Sequence, residues 1–184
     1  MTVAFGCVKI RKAKGGSSVK NLIFIGMPAV GKSTVGVVTA KRLGYHFIDV
    51  DILIQEKEGK LLKEIIREQG ISGFLEVEDR INAELEADHA VIAPGGSVVY
   101  CENAMNHYKE IGTVVYLQAS FETISNRLHH AKKRGVVLRE GQTLLELYEE
   151  RVKLFEKYAD LTICEDGLDL EETIEAVLET IQKE

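Results

Sequence analysis

Cysteine is scarce in this chain of 184 residues: Cys7, Cys101 and Cys164 are odd in number and lack metal-ligand spacing. They read as buried or reduced thiols of a cytoplasmic protein. Long apolar runs are missing as well, and none approaches the roughly 20 residues that a membrane span needs. Met1 to Lys20 mixes Gly, Ser and Lys without the apolar core of a secretory signal. A basic excess is absent too, and a net charge of −6 argues against a general nucleic-acid binder. His46, His89, His107, His129 and His130 show no metal-binding spacing and read as structural. There is no internal repeat and no linker long enough to divide the chain. Its length suits one domain, and 45% hydrophobic residues is ordinary for a globular core.

What is present is concentrated in one stretch. Gly26-Met27-Pro28-Ala29-Val30-Gly31-Lys32-Ser33-Thr34 fits G-x-x-x-x-G-K-[ST], a loop that wraps nucleotide phosphates. Leu22 to Ile25 precedes it as an apolar run of buried-strand length. Val35, Val38, Thr39 and Leu43 follow at helical spacing up to Gly44, a C-terminal stop. Strand, loop and helix together aim backbone N–H groups and the positive helix end at an anion. Lys32 would reach the β- and γ-phosphates, and the Ser33 hydroxyl would ligate Mg²⁺.

Apolar strands alternate with helical patterns along the rest of the chain. Leu22 to Ile25, His46 to Ile48, Val91 to Ala93, Val114 to Leu117 and Leu161 to Ile163 read as strands. Helical stretches are expected near 33–43, 61–69, 73–87, 103–111, 120–130 and 143–158, with a last amphipathic helix started by the Asp169/Glu172 capping box. This order predicts a three-layer α/β/α domain on a five-stranded parallel sheet. Ligands of such sheets sit beyond the carboxyl ends of the strands. Asp49 and Asp51 follow the second strand, and two apart in extended backbone they point the same way. One can hold a metal and the other orient or deprotonate a hydroxyl, although Asp51 also suits a cap for the next helix. Pro94-Gly95-Gly96-Ser97 follows the third strand and permits close approach of backbone to a ligand, or makes a plain turn.

Two basic clusters stand out. Lys9, Arg11, Lys12 and Lys14 precede Gly15-Gly16-Ser17-Ser18, and residues 1–19 are expected to form a flexible or weakly ordered tail. Lys132, Lys133, Arg134 and Arg139 flank Gly135; such a segment either folds over a nucleotide or is a solvated charge run. Arg151 falls on the inward face of the pattern Leu144, Leu147, Tyr148, Leu154, Phe155, Tyr158, and so needs an internal carboxylate or an anionic ligand.

As a set these residues resemble the shikimate kinase family, within the group of P-loop kinases similar to nucleoside-monophosphate kinases. The likeness runs from about Lys20 to Ile181 and takes in Phe47-Ile48-Asp49-Val50-Asp51, Val114-Val115-Tyr116-Leu117, Glu150-Arg151 and Tyr158-Ala159. It implies a single kinase domain over 20–184, with substrate-binding helices about 50–88 and a lid about 131–142. It implies that Ala29, Val30, Gly31, Lys32, Ser33, Thr34, Arg127 and Arg134 hold ATP, with Arg127 against adenine and Arg134 as the lid arginine. Ser33 and Asp49 would serve Mg²⁺. Asp51 would bind acceptor hydroxyls and act as base, Gly95, Gly96 and Arg151 would contact the acceptor, and Lys32, Asp51 and Arg134 would be catalytic. The enzyme would be a cytoplasmic monomer acting on a small hydroxylated acceptor, without nucleic-acid or membrane partners.

The sequence departs from that family at three points. Leu75 stands where the family carries an arginine that grips the shikimate carboxylate, Pro94 replaces the first of three glycines, and the lid reads Arg134-Gly135-Val136 rather than Arg-Pro-Leu. The first change leaves either Arg67 or Arg80 to substitute. Otherwise the acceptor is another polyol or hydroxy acid, or the chain is a nucleotide-binding regulator without catalysis. No guanine-selecting motif is found, which disfavours a GTPase.

Overall fold

The computed structural model describes residues 9–10, 21–130, 139 and 141–182. They form strands β1 (Lys9–Ile10), β2 (Asn21–Ile25), β3 (His46–Asp49), β4 (Ala90–Ala93), β5 (Thr113–Gln118) and β6 (Leu161–Cys164). The helices are α1 (Lys32–Leu43), α2 (Val50–Glu58), α3 (Leu62–Ala83), α4 (Glu102–Ile111), α5 (Phe121–His130), α6 (Leu144–Tyr158) and α7 (Leu170–Ile181). The strand order is β1-β6-β5-β2-β4-β3. β2 to β6 pair in parallel, which is the expected five-stranded sheet.

Burial explains the strand sequences. Every residue of β2 and β4 is buried, so both read as unbroken apolar runs covered on two faces. β3 lies at the sheet edge and tolerates an exposed His46. Asn21 opens β2 at the bottom of the sheet, where its Nδ2 donates to the Ala87 and Ile111 carbonyls and its Oδ1 accepts from the Ala90 amide. That one side chain thus ties three chain segments together. α1 packs beside α7, and α3 beside α4. The expected capping box holds, with the Glu172 amide donating to Asp169 Oδ1 at 2.9 Å, and α6 starts with another, the Glu146 amide donating to Thr143 Oγ1 at 3.2 Å.

The structure corrects one expectation and adds detail to two other stretches. Lys9–Ile10, part of the expected tail, pairs antiparallel with Leu161 and Thr162, because the edge of β6 offers unpaired backbone groups. The helical stretches read separately at 61–69 and 73–87 are two helices that run on as α3 across a kink at Gly70, whose φ of 71° and ψ of −176° are non-helical. A short 3₁₀ turn at Val98–Tyr100, which no local periodicity announced, follows the Gly-Gly. Among the described residues no helix is long and apolar enough to cross a membrane. Cys101 is buried, as expected, and burial pushes its thiol well above the usual range.

Candidate active site

β2 lies between β4 and β5; the crossover from β2 to β3 runs to one side and that from β4 to β5 to the other, which opens a crevice above the carboxyl end of β2. The loop after β2 fills that position. Its φ of 117° lets Gly31 cap α1 without a side chain, and no acidic residue occupies the first turn of α1. The first amides of the helix are therefore left for an anion from outside the chain. Lys32 is only 9% exposed, and its Nζ donates to the Gly26 and Met27 carbonyls at 2.9 and 3.1 Å. The ammonium is thus held over the phosphate loop.

Two cavities flank this loop, and Ala29 and Gly31 line both. The larger, of about 640 Å³, is also lined by Lys32, Ser33, Asp49, Asp51, Gly95, Gly96 and Arg151. The smaller, of about 270 Å³, is lined by Val30, Thr34, Arg127, Glu165, Asp169 and Thr173. Every candidate site residue from the sequence falls on one of these walls except Arg134, which lies outside the described residues together with Lys132, Lys133 and Gly135. Of the expected lid, Arg139 pairs with Glu150 at 3.3 Å and sits 5.7 Å from the Tyr100 ring centre.

Asp49 has a double role. Its Oδ2 accepts from Ser33 Oγ at 2.8 Å, while its Oδ1 accepts from the Asp51 and Ile52 amides at 3.1 and 3.4 Å. Asp49, and not Asp51, is thus the cap of α2. The extended spacing expected for the pair is also replaced: β3 stops at Asp49, and Asp51 reaches the same cavity from the first turn of the helix.

The glycines after β4 are there for space. An added Cβ at Gly95 would meet Glu78 Oε1 at 2.5 Å and Asp51 Oδ1 at 3.1 Å; at Gly96 it would meet Pro28 Cδ at 2.9 Å. Gly95 therefore admits two carboxyl groups, and Gly96 brings the backbone against the phosphate loop. Pro94 replaces neither contact.

Glu78 was not singled out in the sequence. It is 0% exposed, accepts from Ser97 Oγ at 2.6 Å through Oε2, and leaves Oε1 without a hydrogen-bond partner. Burial pushes its carboxyl up to about 7; the Ser97 bond and the charges of Arg151 and Lys32 oppose the rise, and Asp51 adds to it. The available signal was an acid on the apolar face Phe74, Val77, Ile81 of α3, the same signal that marked Arg151. Arg151 is 1% exposed, donates from Nε to Tyr100 Oη at 3.4 Å, and lies 5.2 Å from that ring's centre.

Across the loop, Arg127 Nη1 donates to the Val30 carbonyl at 2.7 Å and to Glu165 Oε2 at 2.9 Å. Glu165 is 4% exposed, with Oε1 unpartnered, and burial raises its carboxyl against the pull of Arg127. It follows β6 directly, so the rule of inspecting residues after each strand would have found it. This ion pair fixes the guanidinium on the wall of the smaller cavity.

The departure at Leu75 takes physical form. Leu75 lies on neither cavity wall; it packs partly buried against the core, and its carbonyl accepts from Cys101 Sγ at 3.6 Å. Arg67 pairs with Glu68 at 3.6 Å and Arg80 with Glu58 at 2.7 Å, and neither lines the cavity. Neither arginine of that alternative thus stands on the cavity wall. A different cation, Lys63, is on the wall.

Known proteins resemble the chain along most of its length. A profile of the shikimate kinase family matches residues 28–182. The shikimate kinase of Persephonella marina is 35% identical over 149 residues, covering 80% of this chain and 90% of that protein. Among solved structures, shikimate kinase from Acinetobacter baumannii in complex with shikimate superposes with a TM-score of 0.82 at 28% identity, covering 90% of this chain and 94% of that one. The shikimate kinase of Aquifex aeolicus gives 0.74 at 30% identity, covering 88% and 96%.

Proposed function

The chain belongs to the shikimate kinase family, and from that premise we propose that it transfers the γ-phosphoryl group of ATP to a hydroxyl of shikimate, giving shikimate 3-phosphate and ADP. One observation carries the reading. The phosphate loop is shared by two cavities, one with Arg127 on its wall and the other with Asp51 and Arg151. A nucleoside in the smaller cavity would present its terminal phosphate across the loop to an alcohol in the larger.

The side chains supply positioning and charge, which is most of what phosphoryl transfer requires. Asp51 accepts the proton of the acceptor hydroxyl as that oxygen bonds to the γ-phosphorus and the bond to the β-phosphate oxygen breaks. Lys32 and the loop amides neutralise the charge passing to ADP. Arg151 offers a buried guanidinium to the acceptor carboxylate, a charge-assisted contact. Arg127, held by Glu165, would lie against the base.

Mg²⁺ fits the residues present. Ser33 Oγ and Asp49 Oδ2 are hard oxygens 2.8 Å apart on the cavity wall, close to the spacing of neighbouring ligands in an octahedral shell of radius about 2.0–2.1 Å. No cluster of three or more His, Cys, Asp or Glu that could hold a metal occurs among the described residues, as suits an ion that also takes phosphate oxygens as ligands. When bound, the ion neutralises phosphate charge.

The same reading takes the enzyme as a cytoplasmic monomer. A coupled assay of ADP release with ATP, Mg²⁺ and a panel of hydroxylated metabolites tests the activity. Shikimate should give the highest kcat/KM; turnover with another polyol or hydroxy acid instead, or none at all, would sink the proposal.

A further inference from the structure

Shikimate bears a carboxylate, and its hydroxyl must reach a phosphate lying near Asp49 and Asp51. Two acids beside an anionic acceptor call for positive charge on the rest of the wall. Among the described residues, the cations lining the 640 Å³ cavity are Lys32, Lys63 and Arg151. Lys32 is held at the phosphate loop by the Gly26 and Met27 carbonyls. Arg151 is buried and braced by Tyr100. Lys63 is different.

It stands in the first turn of α3, one turn before Ile66, and both line the cavity with Leu62. It is exposed and makes no hydrogen bond or ion pair among the described residues. The charged groups around it are engaged elsewhere. Lys60 pairs with Glu68 at 2.6 Å, Arg80 with Glu58 at 2.7 Å, and Glu64 accepts from the Leu61 amide at 3.0 Å. A lysine stem laid along Leu62 and Ile66 keeps its ammonium at the cavity without burying it.

We propose, on the reading of the acceptor as shikimate, that Lys63 binds the acceptor carboxylate together with Arg151, so that the acceptor is held by one buried guanidinium and one exposed ammonium. The second cation thereby comes from the start of α3, eleven residues or more before Phe74 and Leu75 in sequence but on the same wall as Phe74. Because Lys63 is solvated, its contribution is screened and smaller than that of a buried pair.

The test is steady-state kinetics of Lys63→Met and Lys63→Arg beside the wild-type protein. Lys63→Met should raise KM for shikimate about fivefold and leave KM for ATP unchanged. Lys63→Arg should restore most of the loss. With the carboxamide of shikimate as acceptor, wild type and Lys63→Met should be alike. Rising ionic strength should raise KM for shikimate in the wild type more than in Lys63→Met. An unchanged KM for shikimate in Lys63→Met, or an equal penalty on the carboxamide, overturns the role of Lys63 while leaving the kinase reading intact. Absence of shikimate turnover by the wild type overturns both.

Discussion

On the nucleotide side of the phosphate loop, the cavity is built mainly from one segment, Ala29 to Val35, and from a half-exposed ion pair, Arg127 with Glu165, closed by Leu168 to Leu170 and Thr173. The acceptor side draws Asp51, Lys63, Glu78, Gly95 and Arg151 from three helices and a loop. Backbone amides make the first side tolerant of side-chain change. The second depends on charges placed one by one, two of them nearly without solvent. An anion bound by amides and a helix end needs no particular neighbour, whereas Glu78 and Arg151 each set the other's electrostatic environment. The halves should therefore fail differently when perturbed.

The largest effect is expected at their junction. Lys32→Ala should lower kcat by roughly a hundred- to a thousandfold, as removal of a preorganised charge does, with the far-ultraviolet circular dichroism unchanged. Turnover within tenfold of wild type would break the idea that both halves converge on that ammonium. Next comes the acceptor side's dependence on pH. Glu78, raised to about 7 from 4.5, adds stability that is fully present below 4.5 and lost as pH climbs through about 7. The loss is on the order of 3 kcal/mol. Chemical denaturation should show that decline in the wild type and a flatter profile in Glu78→Gln; parallel profiles would mean that the acid titrates as it does in the unfolded chain.

Arg151→Met should raise KM for shikimate about tenfold to a hundredfold while KM for ATP holds, because it removes a charge-assisted contact on one side only. Equal losses for both substrates would erase the distinction between the halves. The smallest effect belongs to the nucleotide side. Glu165→Gln weakens the grip on Arg127 but leaves its bond to the Val30 carbonyl, so isothermal titration should find ATP binding weaker by about three- to tenfold. Shikimate binding should not change. A shift in shikimate affinity as large as that for ATP would show that the loop transmits the perturbation.

Legibility followed the same division. The phosphate loop announced itself because its spacing, its flanking strand and its helix are all contiguous in sequence. The parallel strands were readable because burial on both faces leaves an unbroken apolar run, as in β2 and β4. Arg151 could be assigned to an interior face from helical periodicity alone, and the structure leaves it 1% exposed. Glu78 obeys the same periodicity, but beside Glu76 and Asp79 on a charged helix an acid has the look of a surface residue. Glu165 and Lys63 were hidden for another reason. Their importance comes from what faces them, Arg127 from 38 residues away in one case and an open cavity in the other.

Adjacent residues alone specified the order of the five parallel strands and of most helices, the phosphate-binding turn and the cap on α7, because hydrogen-bonding and burial patterns of short range are written in them. Only the tertiary structure decided which carboxyl group is driven toward neutrality, that Asp49 caps α2 while touching Ser33, and that Lys63 and not Arg67 or Arg80 reaches the acceptor wall. Those outcomes depend on desolvation and on distances across the fold, and neither quantity exists until the helices have packed.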